Sequence, residues 1–314
     1  MKAVLQYRAS PGFCRQIEAL APDWLDVAVV DEGDKTAFAD AMQDAEILLH
    51  VLEVVTADVI ANAPALRLIQ KIGVGVNTID LAAAEQNDIA VCNMPGTNSR
   101  AVAEMTLTLM LSALRRVPYY DARMRAGYGW TADLDSFDGL GEVAGRTVGL
   151  VGYGDVARSL APVLKAMGAT VLYTATSQKA DADADWRDLP ALLAGSDIVS
   201  LHLPLTPATE KMIDAEAIAS MKHGSVLVNT ARGGLVDEAA LLEALTSGHL
   251  RAAGLDVVTV EPAPAENPLF ALDNVVVMPH IAWITPETLD RSLGIAFENC
   301  RRVRDGEDLL HRVV

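Results

Sequence analysis

Through the first ninety residues, short apolar runs alternate with stretches of helical period. Runs at 2–5, 26–30, 47–51, 66–72 and 89–92 read as buried strands, and segments near 13–20, 36–42, 56–62 and 80–86 read as helices. Strand and helix in alternation predict a parallel sheet covered by helices. Asp80 stands where the last of these helices needs an N-cap.

The pattern changes at residue 99. From Ser99 to Arg125 the helical period runs on, broken only around Pro118. Val102, Met105, Leu107, Leu109, Met110, Leu111 and Leu114 cover too much circumference for a surface helix. A buried packing helix or a dimer helix is expected there. A second α/β series follows Gly145, with strands predicted at 147–151, 170–174, 198–203, 225–229, 253–257 and 275–278. Helices are predicted near 156–167, 187–194, 214–221, 238–246 and 287–304. The biased stretch Ala180 to Arg187, ADADADWR, reads as a solvated loop. Because the last helix follows the second series, the chain is expected to return to its first domain.

Composition narrows the function classes. At 314 residues, 51% of them hydrophobic, the chain suits two globular domains. Lys and Arg total 25 against 42 Asp and Glu, a net charge of −17. That balance argues against nucleic acid and against an anionic membrane surface, but leaves room for a local small-anion pocket. Cys14, Cys92 and Cys300 form no CxxC and no disulfide framework, and no metal site is implied. The apolar run at the N-terminus is too short for a signal peptide, and Met105–Leu114 is about half a membrane span. A cytoplasmic protein is expected.

The sharpest local motif starts at Arg146. A short apolar strand runs into Gly152-x-Gly154-x-x-Ala157, and an apolar-periodic helix follows. Gly152 permits the tight turn, Gly154 lets the backbone approach a pyrophosphate, and Ala157 lets the helix pack close to the strand. The anion would sit on free N–H groups at the helix N-terminus. This context predicts a Rossmann dinucleotide-binding domain. An NAD site of this kind wants Asp or Glu at the end of the next strand, to hold the ribose hydroxyls. That strand ends instead in Thr174, followed by Thr176, Ser177 and Lys179. Hydroxyls and a lysine can meet a 2′-phosphate that a carboxylate would repel, so NADP is expected in preference to NAD.

Three further residues each lie just past the carboxyl end of a predicted strand, where open α/β sheets place their ligand crevice. They are Arg232 in Asn-Thr-Ala-Arg-Gly-Gly, Glu261 in Thr-Val-Glu-Pro, and His280 in Met-Pro-His-Ile-Ala-Trp. One Arg, one Glu and one His can together bind a carboxylate and move a proton. Around them, Lys71-Ile-Gly-Val-Gly-Val-Asn, Asn93-Met-Pro-Gly-Thr-Asn, Ala101-Val-Ala-Glu-Met-Thr, the Gly152 motif and Leu201-His-Leu-Pro-Leu-Thr occur in order. With these motifs the chain resembles the D-2-hydroxyacid dehydrogenase family over nearly its whole length. Pro279-His-Ile-Ala-Trp is similar to the glyoxylate/hydroxypyruvate reductase branch.

The resemblance implies two doubly wound, parallel-sheet α/β domains. One is a flavodoxin-like substrate-binding domain, 1–98 plus 283–314; the other is the Rossmann dinucleotide-binding domain, 99–282. It implies that Arg232 binds the substrate carboxylate and carbonyl, that His280 is the acid/base, and that Glu261 pairs with His280. Backbone N–H groups of Val74 and Gly75 would hold the carboxylate, with Trp283 also on the substrate side. Asp155 and Val156 would cover the pyrophosphate, and Leu203, Pro204 and Thr209 would flank the adenosine. Thr230, Ala231 and Asp256 would lie near the nicotinamide, with Asp256 taking its carboxamide, while His202 is read as structural. The implied activity is NAD(P)-dependent reduction of a small 2-keto acid, glyoxylate or hydroxypyruvate first, to the D-2-hydroxy acid, and the reverse, in a homodimer. The alternatives are a phosphoglycerate dehydrogenase-like enzyme and a non-catalytic dinucleotide-sensing protein.

Overall fold

A computed structural model of the chain describes residues 1–131 and 134–314. It divides into two units, Met1–Asn98 with Ile284–Val314, and Ser99–Trp283.

In the first unit the elements run β1 (Lys2–Gln6), α1 (Pro11–Leu20), β2 (Asp26–Val30), α2 (Lys35–Met42), β3 (Ile47–His50), α3 (Ala57–Ala61), β4 (Leu68–Lys71), α4 (Leu81–Gln86) and β5 (Ala90–Cys92). The strands pair in parallel in the order β2-β1-β3-β4-β5, the flavodoxin-like arrangement. Every residue of β3, β4 and β5 is buried, as a sheet covered on both faces requires. Val4, Leu48, Ile69 and Val91 share one core with Phe38, Met42 and Ile60 of the helices. Each of the four helices starts on a side-chain cap. Ser10, Asp34, Thr56 and Asp80 accept from the N–H groups of Phe13, Ala37, Val59 and Ala83.

The C-terminal helix, Pro286–Asp305, belongs to this unit and starts on the Thr285 cap. Its buried Asn299 donates to the buried Gln70 Oε1 of β4 at 2.6 Å. The residues after it lie antiparallel along β5: Val313 N–H donates to Val91 O at 2.7 Å and Val91 N–H to Val314 O at 3.1 Å. This covers a strand edge that would otherwise present unpaired backbone.

The second unit opens with α5 (Ser99–Arg115) and α6 (Val117–Arg125). It continues through β6 (Thr147–Val151), α7 (Asp155–Ala166), β7 (Thr170–Thr174), β8 (Asp185–Trp186), α8 (Leu189–Gly195), β9 (Ile198–Leu201), α9 (Ala215–Ser220), β10 (Ser225–Asn229), α10 (Glu238–Ser247), β11 (Leu250–Leu255) and β12 (Val275–Val277). The parallel sheet has the order β12-β11-β10-β9-β6-β7-β8. The order reverses between β6 and β9, which makes the carboxyl end of β6 the topological switch point. Strand β8 falls inside the stretch read from sequence as a solvated loop. Its two residues pair with Leu172 and Tyr173, and Asp181 and Asp183 of the same stretch bind Arg158 and Lys165.

The apolar circumference of α5 is used inside its own unit. Val102, Thr106, Leu109, Met110, Ala113 and Leu114 are buried, and the helix lies on α7, β10 and β11. A Cβ on Gly254 of β11 would lie 2.9 Å from the Cβ of Leu109, so only glycine admits this approach. The helical break comes at Arg116, in left-handed backbone with φ 51°. Pro118 itself sits in the first turn of α6, where its missing N–H has no partner to lose. By contrast α6 buries no residue, and Val117, Tyr128 and Trp130 near it are 51%, 63% and 93% exposed. Among the described residues no helix is long and apolar enough to cross a membrane.

Candidate active site

The turn after β6 is shaped for an anion. Gly152 has φ 96°, and a Cβ there would come within 2.4 Å of His202 O. Gly154 starts α7 without any side-chain cap, and nothing lies within 4 Å of where its Cβ would stand. The neighbouring helices α8, α9 and α10 are closed by Asp188, Asp214 and Asp237. At α7 the first N–H groups, in the turn begun by Asp155 and Val156, are left for a ligand. Fully buried Ala157 brings the helix against the sheet. These residues fit the pyrophosphate of a dinucleotide.

Arg232 stands in a loop held from three sides. Asn229, the last residue of β10, accepts from Ala231 N–H at 3.0 Å and donates to Arg232 O at 2.8 Å. Thr230 shares a buried 2.8 Å hydrogen bond with Thr106 of α5. Gly233 lies so close to the next loop that a Cβ would be 2.0 Å from the carbonyl carbon of Val258. The guanidinium donates to Ala231 O at 2.6 Å. Burial pushes its pKa down, and the charge of Glu261 opposes that shift.

Glu261 and His280 meet directly. Glu261 Oε2 is 2.6 Å from His280 Nδ1, and Oε1 accepts from Val258 N–H at 3.1 Å. Burial alone would raise the Glu261 carboxyl. The hydrogen bond and charge of His280, the Val258 N–H and the Arg232 guanidinium outweigh it and hold the carboxyl below its ordinary range. His280 has φ 56°, a strained conformation for a residue with a Cβ. Asp256, just past the end of β11, supports it. Its carboxylate accepts from Ile281 N–H at 2.9 Å and Ala282 N–H at 3.0 Å. Its carbonyl accepts from His280 N–H at 2.8 Å. Asp256 is 1% exposed; burial raises its carboxyl pKa against the pull of those two N–H groups. With Nδ1 engaged by Glu261, Nε2 is the ring nitrogen that can pass a proton onward.

A family model for "D-isomer specific 2-hydroxyacid dehydrogenase, NAD binding domain" matches residues 107–282. The chain belongs to this dehydrogenase family. It is 39% identical over 244 residues to the hydroxypyruvate reductase of Thermotoga maritima, covering 77% of this chain and 78% of that protein. It is 41% identical over 290 residues to the D-3-phosphoglycerate dehydrogenase of Mycobacterium tuberculosis, covering 91% of this chain and 54% of that protein. The chain thus spans about half the length of the mycobacterial phosphoglycerate dehydrogenase it matches. The crystal structure of the TT0316 protein from Thermus thermophilus superposes with a TM-score of 0.90 at 36% identity, covering 100% of both chains.

The remaining residues singled out in the sequence are spread over both units. His202 is hydrogen-bonded to Ser200 at 2.9 Å, and desolvation pushes its pKa down to about 4, so it stays neutral. Leu203 packs on the core, Pro204 is exposed, and Thr209 Oγ1 donates to Pro204 O at 2.8 Å, stapling its own loop. At the end of β7, Thr174 O accepts from Gly152 N–H at 2.9 Å. Thr176 and Ser177 are exposed, with Lys179 Nζ 3.3 Å from Ser177 Oγ. Trp283 is buried. Val74 and Gly75 lie in the first unit after β4, where Asn93 Nδ2 donates to Val74 O at 3.0 Å. Thr106 and Asn229 stood in motifs read from the sequence, but their role as clamps of the Arg232 loop was not read there. Their signal was present as a hydroxyl inside an apolar helix and an amide closing an apolar strand.

Proposed function

We propose that the chain catalyses NAD(P)-dependent reduction of a small 2-keto acid, glyoxylate or hydroxypyruvate first, to the D-2-hydroxy acid, and the reverse. The observation that carries this reading is the 2.6 Å contact of His280 Nδ1 with Glu261, with Arg232 close enough to act on the Glu261 charge. Arg232 offers two parallel charge-assisted N–H bonds, and a 2-keto acid presents carboxylate and carbonyl side by side. The bound dinucleotide supplies the hydride. As C2 is reduced, His280 gives its Nε2 proton to the carbonyl oxygen while Arg232 stabilises the growing negative charge. Glu261 keeps Nδ1 engaged throughout that step. In the reverse direction His280 takes the hydroxyl proton.

In the same reading Gly152, Gly154, Asp155 and Val156 hold the pyrophosphate, and Leu203, Pro204 and Thr209 flank the adenosine. Thr230, Ala231 and Asp256 border the nicotinamide. Val74, Gly75 and Trp283 serve the substrate. NADP is preferred over NAD because Thr174, Thr176, Ser177 and Lys179 offer a 2′-phosphate hydroxyls and a cation. The protein acts in the cytoplasm as a homodimer, supported by the exposed Val117, Tyr128 and Trp130 beside α6. A phosphoglycerate substrate is the second reading, favoured by the likeness to the mycobacterial enzyme. Initial rates with glyoxylate, hydroxypyruvate and other 2-keto acids, each with NADH and NADPH, and with 3-phosphoglycerate in reverse, decide between them. Highest kcat/KM for glyoxylate or hydroxypyruvate with NADPH is expected; no turnover with any acid overturns the assignment.

A further inference from the structure

At the opposite end of the second unit's sheet, where its strands begin, three arginines gather. Arg251 is the second residue of β11, Arg146 directly precedes β6, and Arg116 follows α5. Ala113, Arg116, Gly139, Arg251, Asp273 and Asn274 line a cavity of about 320 Å³. Two of the guanidiniums spend donors on carbonyls: Arg251 on Leu114 O at 3.2 Å and Arg146 on Glu142 O at 2.6 Å. The same two face one another across Gly141. At the point where a Cβ would stand, Arg146 Nη2 is 2.6 Å away and both terminal nitrogens of Arg251 are 3.3 Å away. Arg116 lies 4.1 Å over the Tyr119 ring, and its buried Nε has no hydrogen-bond partner among the described residues.

No ion pair among the described residues neutralises this cluster. Those of the second unit are Arg125–Asp121, Arg158–Asp181, Lys165–Asp183, Lys211–Asp237, Lys222–Asp197 and His280–Glu261. None involves the three arginines. Burial pushes Arg251 below its ordinary range, and the charges of Arg146 and Arg116 push the same way. In a chain of net charge −17, this concentration of guanidinium, which forms no ion pair among the described residues although the Asp197 carboxylate feels the charge of Arg146, is a local inversion of sign that an anion would relieve.

We infer that this cavity binds a small oxyanion of the phosphate class, supplied as inorganic phosphate or as the phosphoryl group of a phosphomonoester. Guanidinium forks match the oxygens of a tetrahedral anion, and Arg is suited to that geometry. Asp273 in the cavity wall adds selectivity. Its carboxylate can accept a hydrogen bond from a P–OH group, whereas sulfate carries no proton at neutral pH and meets the same carboxylate as repulsion.

Isothermal titration calorimetry of the full chain, at constant ionic strength, tests this with inorganic phosphate, sulfate and glycerol 3-phosphate. Phosphate is expected to bind, with at least tenfold weaker affinity in Arg251→Gln and in Arg116→Gln. Arg116→Lys, a change on a half-exposed side chain that keeps the charge, is expected to lose only a few-fold. Sulfate binds more weakly than phosphate in the wild type, and Asp273→Asn closes that gap. Tighter binding of glycerol 3-phosphate identifies a phosphomonoester as the source; equal or weaker binding identifies inorganic phosphate. A ligand-dependent rise in Tm over matched NaCl gives a second readout. No heat and no Tm rise with phosphate overturns the inference, as does binding that persists unchanged in both glutamine variants.

Discussion

The loops carrying Arg232, Glu261 and His280 and the segment from Thr174 to Lys179 leave the same sheet at the same end, yet they are built differently. Buried and part-buried hydrogen bonds from Thr106, Asn229 and Asp256 hold the first group, and the Gly233–Val258 approach leaves no room for a Cβ. The second is exposed at Thr176 and Ser177 and is tied down mainly where Lys179 N–H donates to Tyr173 Oη at 2.7 Å. A group that must meet a reacting atom needs a fixed frame. A group that recognises the far end of a cofactor can sit on the surface and be exchanged with little effect on the frame.

The largest expected effect comes from emptying the fixed region. Arg232→Ala should lower kcat/KM for the keto acid by about a thousandfold or more, since the carboxylate clamp and the charge stabilisation vanish together. Arg232→Lys should recover only part of it, because an ammonium cannot form the fork. Fluorescence titration should show cofactor affinity changed far less; equal losses in both would move Arg232 out of the substrate site.

Glu261→Gln should slow reduction by about ten- to hundredfold in single-turnover measurements at neutral pH. It also has a stability signature. The Glu261 carboxyl lies below its ordinary range, so its charge contributes stability above roughly pH 4.3, the ordinary glutamate value. That contribution is lost as pH falls through the lower folded value. The wild-type advantage in denaturation midpoint over Glu261→Gln should therefore be present at pH 7 and shrink as pH falls below that ordinary value; an advantage constant with pH would contradict the ion pair.

Asn229→Ala tests the frame without touching the proposed chemistry. It leaves Ala231 N–H and Arg232 O without their partner, which should destabilise the protein by about 1–3 kcal/mol in chemical denaturation. kcat should fall while cofactor Kd holds; unchanged kcat would mean that the loop needs no clamp. The smallest effect belongs to the exposed segment. Thr174→Asp should move the ratio of kcat/KM for NADPH over NADH by about tenfold towards NADH, with denaturation midpoints unchanged. A ratio that does not move would take cofactor preference away from this strand end.

The parallel sheets were legible because buried strands and amphipathic helices carry opposite periods. The Gly152 turn was legible because its chemistry is local in sequence. Strand β8 was not: two residues, Asp185 and Trp186, are too few to show a period, and their pairing with Leu172 and Tyr173 is decided by a neighbouring strand. The end of α5 was placed around Pro118, yet the break is a left-handed Arg116, because proline is tolerated in a helix's first turn. Arg232, Glu261 and His280 were visible as residues at strand ends. Their clamps were not, since the Thr106–Thr230 bond spans 124 positions and no local pattern announces a partner so distant. The excess of apolar positions on α5 was correctly seen as needing cover, and the structure supplies it from α7, β10 and β11 of the same unit.

The return of residues 286–314 to the first unit has a consequence for the order of assembly. During synthesis, the second unit is complete once Trp283 has left the ribosome. The first unit has by then offered β4 and β5 for much longer, but its Asn299–Gln70 contact and the strand-like cover on β5 belong to a segment made after the second unit. Contacts of such sequence separation form slowly, and a bare parallel edge is prone to pairing with other chains while it waits. The unit begun before the other thus closes after it, and chaperone dependence or aggregation of nascent chains should concentrate on β5 rather than on the dinucleotide fold.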